Sequence, residues 1–125
     1  MISTKLKPAT LRQTQIVNSF FSELEKHIQE IRQGKAESTL EVREMADRVH
    51  VHPTHLSNTI SQALGKSPCD IYEERLIALA KELLLTTPKS IAEIAHQMTY
   101  DPSNFTKFFK HFEGVTPKQF RTMNS

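Results

Sequence analysis

Two short stretches hold the side chains best suited to chemistry with another molecule. They are Pro53-Thr54-His55-Leu56-Ser57-Asn58-Thr59-Ile60-Ser61 and Pro102-Ser103-Asn104-Phe105-Thr106-Lys107-Phe108-Phe109-Lys110. A helix through either stretch buries Leu56 and Ile60, or Phe105 and Phe109, and turns the intervening residues outward. The outward sets are Thr54, His55, Ser57, Asn58 and Ser61 in the first, and Ser103, Asn104, Thr106, Lys107 and Lys110 in the second. Hydroxyls, amides and one or two ammonium groups supply the donors and acceptors that match base edges, and short side chains leave room for a helix to enter a major groove. One polar helix face is ordinarily only solvated surface. Two of the same design are harder to explain that way.

Other chemistry finds less material. Cys69 is the single cysteine, no glycine-rich phosphate loop is present, and no pair of carboxylates is placed for acid–base work, so an enzyme is not expected. The cluster His50-Val51-His52-Pro53-Thr54-His55 straddles a turn without a companion set of Cys or carboxylate ligands, and reads as a solvated turn rather than a zinc site. Phe105, Phe108, Phe109 and Phe112 have helical spacing and read as core rather than as a cofactor pocket. Phe108 is the exception, because the matching residue of the first stretch is Thr59. No metal, cofactor or small-molecule ligand is expected. A lone cysteine also fits a reducing cytoplasm better than a secreted setting. The opening segment MISTKLKPATLRQ has no apolar run, and nowhere is there an apolar stretch long enough for a membrane span.

The elements that position these residues are all helical, since apolar residues recur at helical intervals and no stretch alternates like a strand. Residues 1–13 are expected to form a flexible tail. An amphipathic helix from about Thr14 to Arg32 presents Val17, Phe20, Phe21, Leu24, Ile28 and Ile31 on one face, and Gly34 stands where its C-terminal cap belongs. Two short helices follow, about Leu40 to Val49 and Pro53 to Leu64, with a break so tight that they must cross steeply. Pro53 suits a first helical position, and Gly65 ends the helix. A longer helix from Pro68 to about Leu85 has Ile71, Ile77, Ala80, Leu83 and Leu84 as its buried positions and leaves through Thr86-Thr87-Pro88.

The pattern then repeats. Pairing Ala46 with Ala95 sets an offset of 49 residues, and the same offset pairs Val42 with Ile91, Met45 with Ile94, Val49 with Met98, Pro53 with Pro102, Leu56 with Phe105, Ile60 with Phe109, Gly65 with Gly114, Pro68 with Pro117 and Ile71 with Phe120. Apolar positions meet apolar positions without a gap, so one helix-turn-helix unit is used twice. Ala46 and Ala95 fall where the two helices cross, and a larger side chain there would hold them apart. The expected fold is all-α: two helix-turn-helix subdomains joined by a long linker helix, with an additional N-terminal amphipathic helix. The expected divisions are 14–66 for the first helix and first subdomain, 67–87 for the linker helix and 88–125 for the second subdomain and a C-terminal helix. A linker of this length spans ~27 Å at the helical rise, close to the ~34 Å between successive major-groove faces.

Charge supports an unequal pair. The chain has a formal net charge of +2, from 16 Lys and Arg against 14 Asp and Glu. Residues 40–88 hold five basic against seven acidic residues, whereas residues 89–125 hold five against three. The C-terminal third is the basic end.

At Ser90-Ile91-Ala92-Glu93-Ile94-Ala95, Asp101-Pro102-Ser103-Asn104-Phe105-Thr106-Lys107-Phe108-Phe109-Lys110 and Gly114-Val115-Thr116-Pro117-Lys118-Gln119-Phe120-Arg121, the chain resembles the AraC/XylS family of bacterial transcription regulators. The resemblance extends upstream through Ala80-Lys81-Glu82-Leu83-Leu84-Leu85 and covers about Leu40 to Arg121. It implies a cytoplasmic protein whose two recognition helices enter adjacent major grooves of double-stranded DNA. By position, the base-reading residues it implies are Thr54, Ser57, Asn58 and Ser61, with Ser103, Asn104 and Lys107. Backbone contacts fall near the helix starts at Ser67, Ser90 and Thr116, and on the basic residues Lys110, Lys118 and Arg121. The chain is most like the short members without an effector domain, which implies a monomer unless it is a fragment of a larger regulator.

Three departures from the family pattern bear on this reading. The glycine common at the turn of both motifs is His50 in one and Thr99 in the other, so a left-handed backbone at either would be strained. The second turn is one residue shorter than usual for the family and matches the first in length. The helix Pro53 to Leu64 contains no Lys, Arg, Asp or Glu, so the second unit is expected to contribute more affinity. The rival reading is a protein-interaction module whose first unit docks a partner such as RNA polymerase while only the second touches DNA.

Overall fold

A computed structural model describes residues 10–125. Seven helices and no strand occur among them, so the expected all-α class holds. In chain order they are α1 (Leu11–Arg32), α2 (Val42–Val49), α3 (Pro53–Leu64), α4 (Pro68–Thr86), α5 (Ile91–Gln97), α6 (Pro102–Glu113) and α7 (Pro117–Met123). Most of the expected N-terminal tail, residues 1–9, lies outside the described residues. The rest does not behave as a tail, because α1 begins at Leu11 rather than Thr14. A capping box explains the earlier start: the Gln13 amide donates to the Thr10 hydroxyl at 3.1 Å, and the Thr10 amide donates to the Gln13 side chain at 2.9 Å.

The chain forms two compact units, the first from the described residues up to Lys26 with Leu40–Tyr72, the second from His27–Thr39 with Glu73–Ser125. Both α1 and α4 run through from one unit into the other. In the first unit the core is Ile16, Phe20 and Leu24 of α1, Met45, Ala46 and Val49 of α2, Leu56, Thr59 and Ile60 of α3, and Ile71 and Tyr72 of α4. The buried stripe of α1 thus starts on Ile16, while Val17 and Phe21 are only half-buried at its margin. Tyr72 also anchors the entry to α2, its hydroxyl accepting from the Leu40 amide at 3.0 Å.

In the second unit α4 contributes Leu76, Ile77, Leu79, Ala80, Leu83 and Leu84, α5 contributes Ile94 and Ala95, and α6 contributes Phe105 and Phe109. Phe109 meets Phe120 of α7 edge-on, with ring centroids 5.4 Å apart. The last turns of α1 belong here, burying His27, Ile28 and Ile31. They are tied down by polar contacts: Arg32 makes a two-pronged pair with Glu82 at 2.8 and 3.0 Å, and the Gln97 amide donates to the carbonyls of Ile31 and Arg32 at 3.2 and 3.0 Å. The guanidinium holds the Glu82 carboxyl below its ordinary pKa range.

Candidate nucleic-acid interface

Each unit aims its second helix through the same turn. After α2 the backbone of His50 is left-handed, φ 63°, and after α5 that of Thr99 is left-handed, φ 66°. The amide of Val51 reaches back to the Ala46 carbonyl at 3.1 Å and that of His50 to Asp47 at 3.2 Å. Tyr100 and Thr99 repeat those bonds to Ala95 and His96 at 2.8 and 3.0 Å. This six-to-one and five-to-two pair is the Schellman closure. It also explains why Ala stands at both anchor positions, since each is fully buried where the helices cross. Glycine would normally hold the left-handed site. Here a histidine and a β-branched threonine do, so the strain expected from the sequence is present in both turns. Thr99 bears a second burden: its hydroxyl is buried without a hydrogen-bond partner.

The helix that follows each turn opens with a cap and then proline at its first position. For α3 the cap is His52, whose Nδ1 accepts from the Thr54 amide at 3.2 Å. For α6 it is Asp101, whose carboxylate accepts from Ser103 and Asn104 amides at 3.0 and 3.3 Å. A carboxylate is the stronger cap, being charged and facing the positive end of the helix dipole. Both helices are 12 residues long and end on a left-handed glycine, Gly65 or Gly114.

The faces these helices present agree with the expected pattern in most positions. Thr54, His55, Asn58 and Ser61 are exposed on α3, and Ser103, Asn104, Lys107 and Lys110 on α6. Thr54, Asn58 and Ser61 stand at intervals of four and three, as do Ser103, Lys107 and Lys110, so each trio shares one side of its helix. Ser57 and its counterpart Thr106 are half-buried at the edge of those faces. The electrostatics differ sharply. α3 has no charged residue, whereas α6 holds two exposed ammonium groups and one carboxylate, Glu113, which is paired with Lys81 at 3.1 Å.

The aromatic residues of α6 need one correction. Phe105 and Phe109 are core, and Phe108 is half-exposed as anticipated, but Phe112 is 39% exposed. It sits in the last turn of the helix and packs on the rings of Phe108 and His111, at 5.2 and 5.1 Å, rather than in the core. Phe108 in turn stacks on Tyr100 at 5.1 Å. Thr59, at the position of Phe108 in the first unit, is buried.

The residues expected at the DNA backbone sort into three groups. Lys110 and Lys118 are exposed. Ser67, Ser90 and Thr116 are helix caps whose hydroxyls accept from the amides of Asp70, Glu93 and Gln119 at 3.1 Å each. At Ser90 the box is closed by a carboxylate: Glu93 accepts from the Ser90 amide at 2.8 Å, and bonds from Ser90 hold its pKa down, so negative charge already occupies that helix start. At Thr116 the reciprocal partner is the neutral Gln119, at 2.9 Å.

Arg121 has a different role from the one expected. Its guanidinium donates to the carbonyls of Leu84, Lys89 and Thr87 at 3.0, 2.6 and 3.3 Å, sealing the end of α4 and the loop after it. Those carbonyls lie at least 32 residues away in sequence, so no local signal marked the contact. Among the described residues no group of three His, Cys, Asp or Glu side chains could hold a metal ion, and no helix is long and apolar enough to cross a membrane.

Comparison with known proteins places this geometry. The family model described as a helix-turn-helix domain matches residues 45–123. The arabinose operon regulatory protein of Escherichia coli (strain K12) is 33% identical over 87 residues, covering 69% of this chain and 30% of that protein. Among solved structures, the C-terminal domain of AraT, a response regulator from Geobacillus stearothermophilus, is 34% identical with a TM-score of 0.67, covering 80% of this chain and 84% of that one. A transcriptional regulator from Chromobacterium violaceum, of the group containing AraC-type DNA-binding domains, shares the fold at 22% identity, with a TM-score of 0.73 and coverage of 93% and 97%. The chain spans less than a third of the length of the first curated relatives it matches, at 11%, 30% and 30%.

Proposed function

Because this chain belongs to the AraC/XylS family of bacterial helix-turn-helix transcription regulators, we propose that it binds double-stranded DNA sequence-specifically, with α3 and α6 in adjacent major grooves, and regulates transcription in the cytoplasm. The observation that carries this reading is the outward face of α6, where Ser103, Asn104, Lys107 and Lys110 stand exposed on a helix started by Asp101 and Pro102. Asn104 and Lys107 read base edges there, the amide suiting adenine and the ammonium guanine. Thr54, Ser57, Asn58 and Ser61 read bases from α3, with fewer electrostatic contacts. Lys110 and Lys118 contact phosphates, as do the helix starts at Ser67 and Thr116, of which only the one at Thr116 is neutral. Ser90 and Ser67 are the weaker of the proposed backbone positions, because Glu93 and Asp70 in the first turns of their helices repel phosphate, and Arg121 acts by holding the end of α4.

The described residues act by binding rather than by catalysis, and as a monomer unless they are part of a larger regulator; contact with RNA polymerase is a means by which the bound regulator acts on transcription. Selection from a random duplex library at low salt tests the central claim. A motif in two parts, one per unit, is the expected result, and recovery of no enriched motif refutes sequence-specific recognition. Asn104→Ala should flatten one column of that motif while leaving the protein folded.

A further inference from the structure

We infer that His55 is a further base-contacting residue of the first unit, selecting a purine in its half-site; this rests on the DNA-binding reading above. The repeat supplies the register. At the 49-residue offset Thr54 matches Ser103, Ser57 matches Thr106, Asn58 matches Lys107, Ser61 matches Lys110, and His55 matches Asn104. The structure makes that register physical. Each helix is preceded by a left-handed residue three positions before its first proline, with φ 63° at His50 and 66° at Thr99, and each has the same length. His55 and Asn104 are therefore both the third residue of their helices, delivered by the same backbone turn, and both are exposed.

The neighbouring histidines are committed elsewhere. His52 uses Nδ1 to cap α3, and His50 holds the left-handed turn. The ring of His55 makes no hydrogen bond or ion pair among the described residues, so its nitrogens face outward uncommitted. A neutral imidazole offers one N–H donor and one acceptor nitrogen. In a major groove that donor is matched by N7, which both purines present, with O6 beside it on guanine.

The test is library selection with the full chain as wild type, His55→Ala and His55→Asn, alongside thermal melts of all three. Wild type should enrich a two-part motif with a purine column in one half. His55→Ala should reduce that purine preference about three- to tenfold, the worth of one hydrogen bond, and leave the other half of the motif unchanged. His55→Asn installs the side chain of Asn104 and should move the column toward adenine. Matched melting temperatures are expected for an exposed position, and the Asn variant gives an independent readout should the Ala variant melt early. An unchanged column in both variants overturns the inference, as does uniform weakening against every sequence, which marks a phosphate contact. Absence of any motif for wild type instead refutes the DNA-reading proposal itself.

Discussion

Replacing Thr99 with glycine should make this protein more stable, although the side chain removed is half-buried. Thr99 occupies the left-handed region at φ 66°, where a side chain costs about 1–2 kcal/mol. Its buried hydroxyl lacks a hydrogen-bond partner, and such a group costs about 1–3 kcal/mol. Opposing terms are smaller: glycine's greater freedom in the unfolded chain costs about 0.5–1 kcal/mol, and the lost methyl forfeits about 0.8 kcal/mol of burial. The balance favours Thr99→Gly by about 1–2 kcal/mol. For a chain of this size that corresponds to a rise of roughly 3–10 °C in Tm. The Schellman bonds from Thr99 and Tyr100 involve only backbone and survive the change. Urea and thermal unfolding followed by circular dichroism measure the gain, and Thr99→Ala separates its two sources. Alanine removes the hydroxyl but keeps the strained Cβ, so it should fall between wild type and glycine. A Thr99→Gly protein no more stable than wild type would refute the argument that the turn is strained.

Further outcomes follow from the asymmetry and from the polar ties. His50→Gly should also stabilise, by about 0.5–1 kcal/mol, less than at Thr99 because His50 is exposed and buries no unsatisfied group. Lys107→Ala should weaken binding to duplex DNA and lower the slope of log affinity against log salt by about 0.9 if its ammonium also neutralises a phosphate; electrophoretic or anisotropy titrations at several salt concentrations measure both. Arg121→Ala should leave that slope unchanged and destabilise the fold by about 1–3 kcal/mol, since three carbonyls lose a charged donor; a reduced slope would instead mark a phosphate contact. Glu82→Gln should destabilise by less than ~1 kcal/mol at pH 7, because the Glu82 side chain is 41% exposed and its pair with Arg32 is screened by solvent. The folded-state pKa of Glu82 is depressed, so its contribution is present above the unfolded value and lost as pH falls through the folded one. The variant and wild type should therefore converge in stability only once pH has fallen below the depressed folded-state pKa of Glu82.

Local periodicity and end signals were enough to read the all-helical class and the helix-turn-helix unit used twice. The positions of proline and glycine marked both recognition helices to the residue, Pro53–Leu64 and Pro102–Glu113. Where the start of α1 was misplaced, the signal was nevertheless present: Thr10 and Gln13 form a capping box, which an apolar face beginning further along obscured. The 49-residue offset holds in the structure as two turns with the same backbone bonds.

What the sequence by itself determined is the part set by neighbours within a few residues: helix boundaries, the alternation that buries Leu56 and Ile60 or Phe105 and Phe109, and the polar faces left outward. Only the tertiary structure decided which long-range partner each exposed-looking residue takes. Arg121, basic and near the C-terminus, reads as a phosphate contact until its guanidinium is found on the carbonyls of Leu84, Thr87 and Lys89. The division of α1 at Lys26 and His27 is likewise invisible in one continuous amphipathic stripe. The left-handed backbone of His50 and Thr99 is signalled only by the resemblance, which puts a glycine at each turn, since neither residue favours that conformation by itself. In both turns the packing of a buried alanine and two backbone bonds, one to that alanine's carbonyl and one to the carbonyl of the residue after it, outweigh the local preference and so fix how the chain enters α3 and α6.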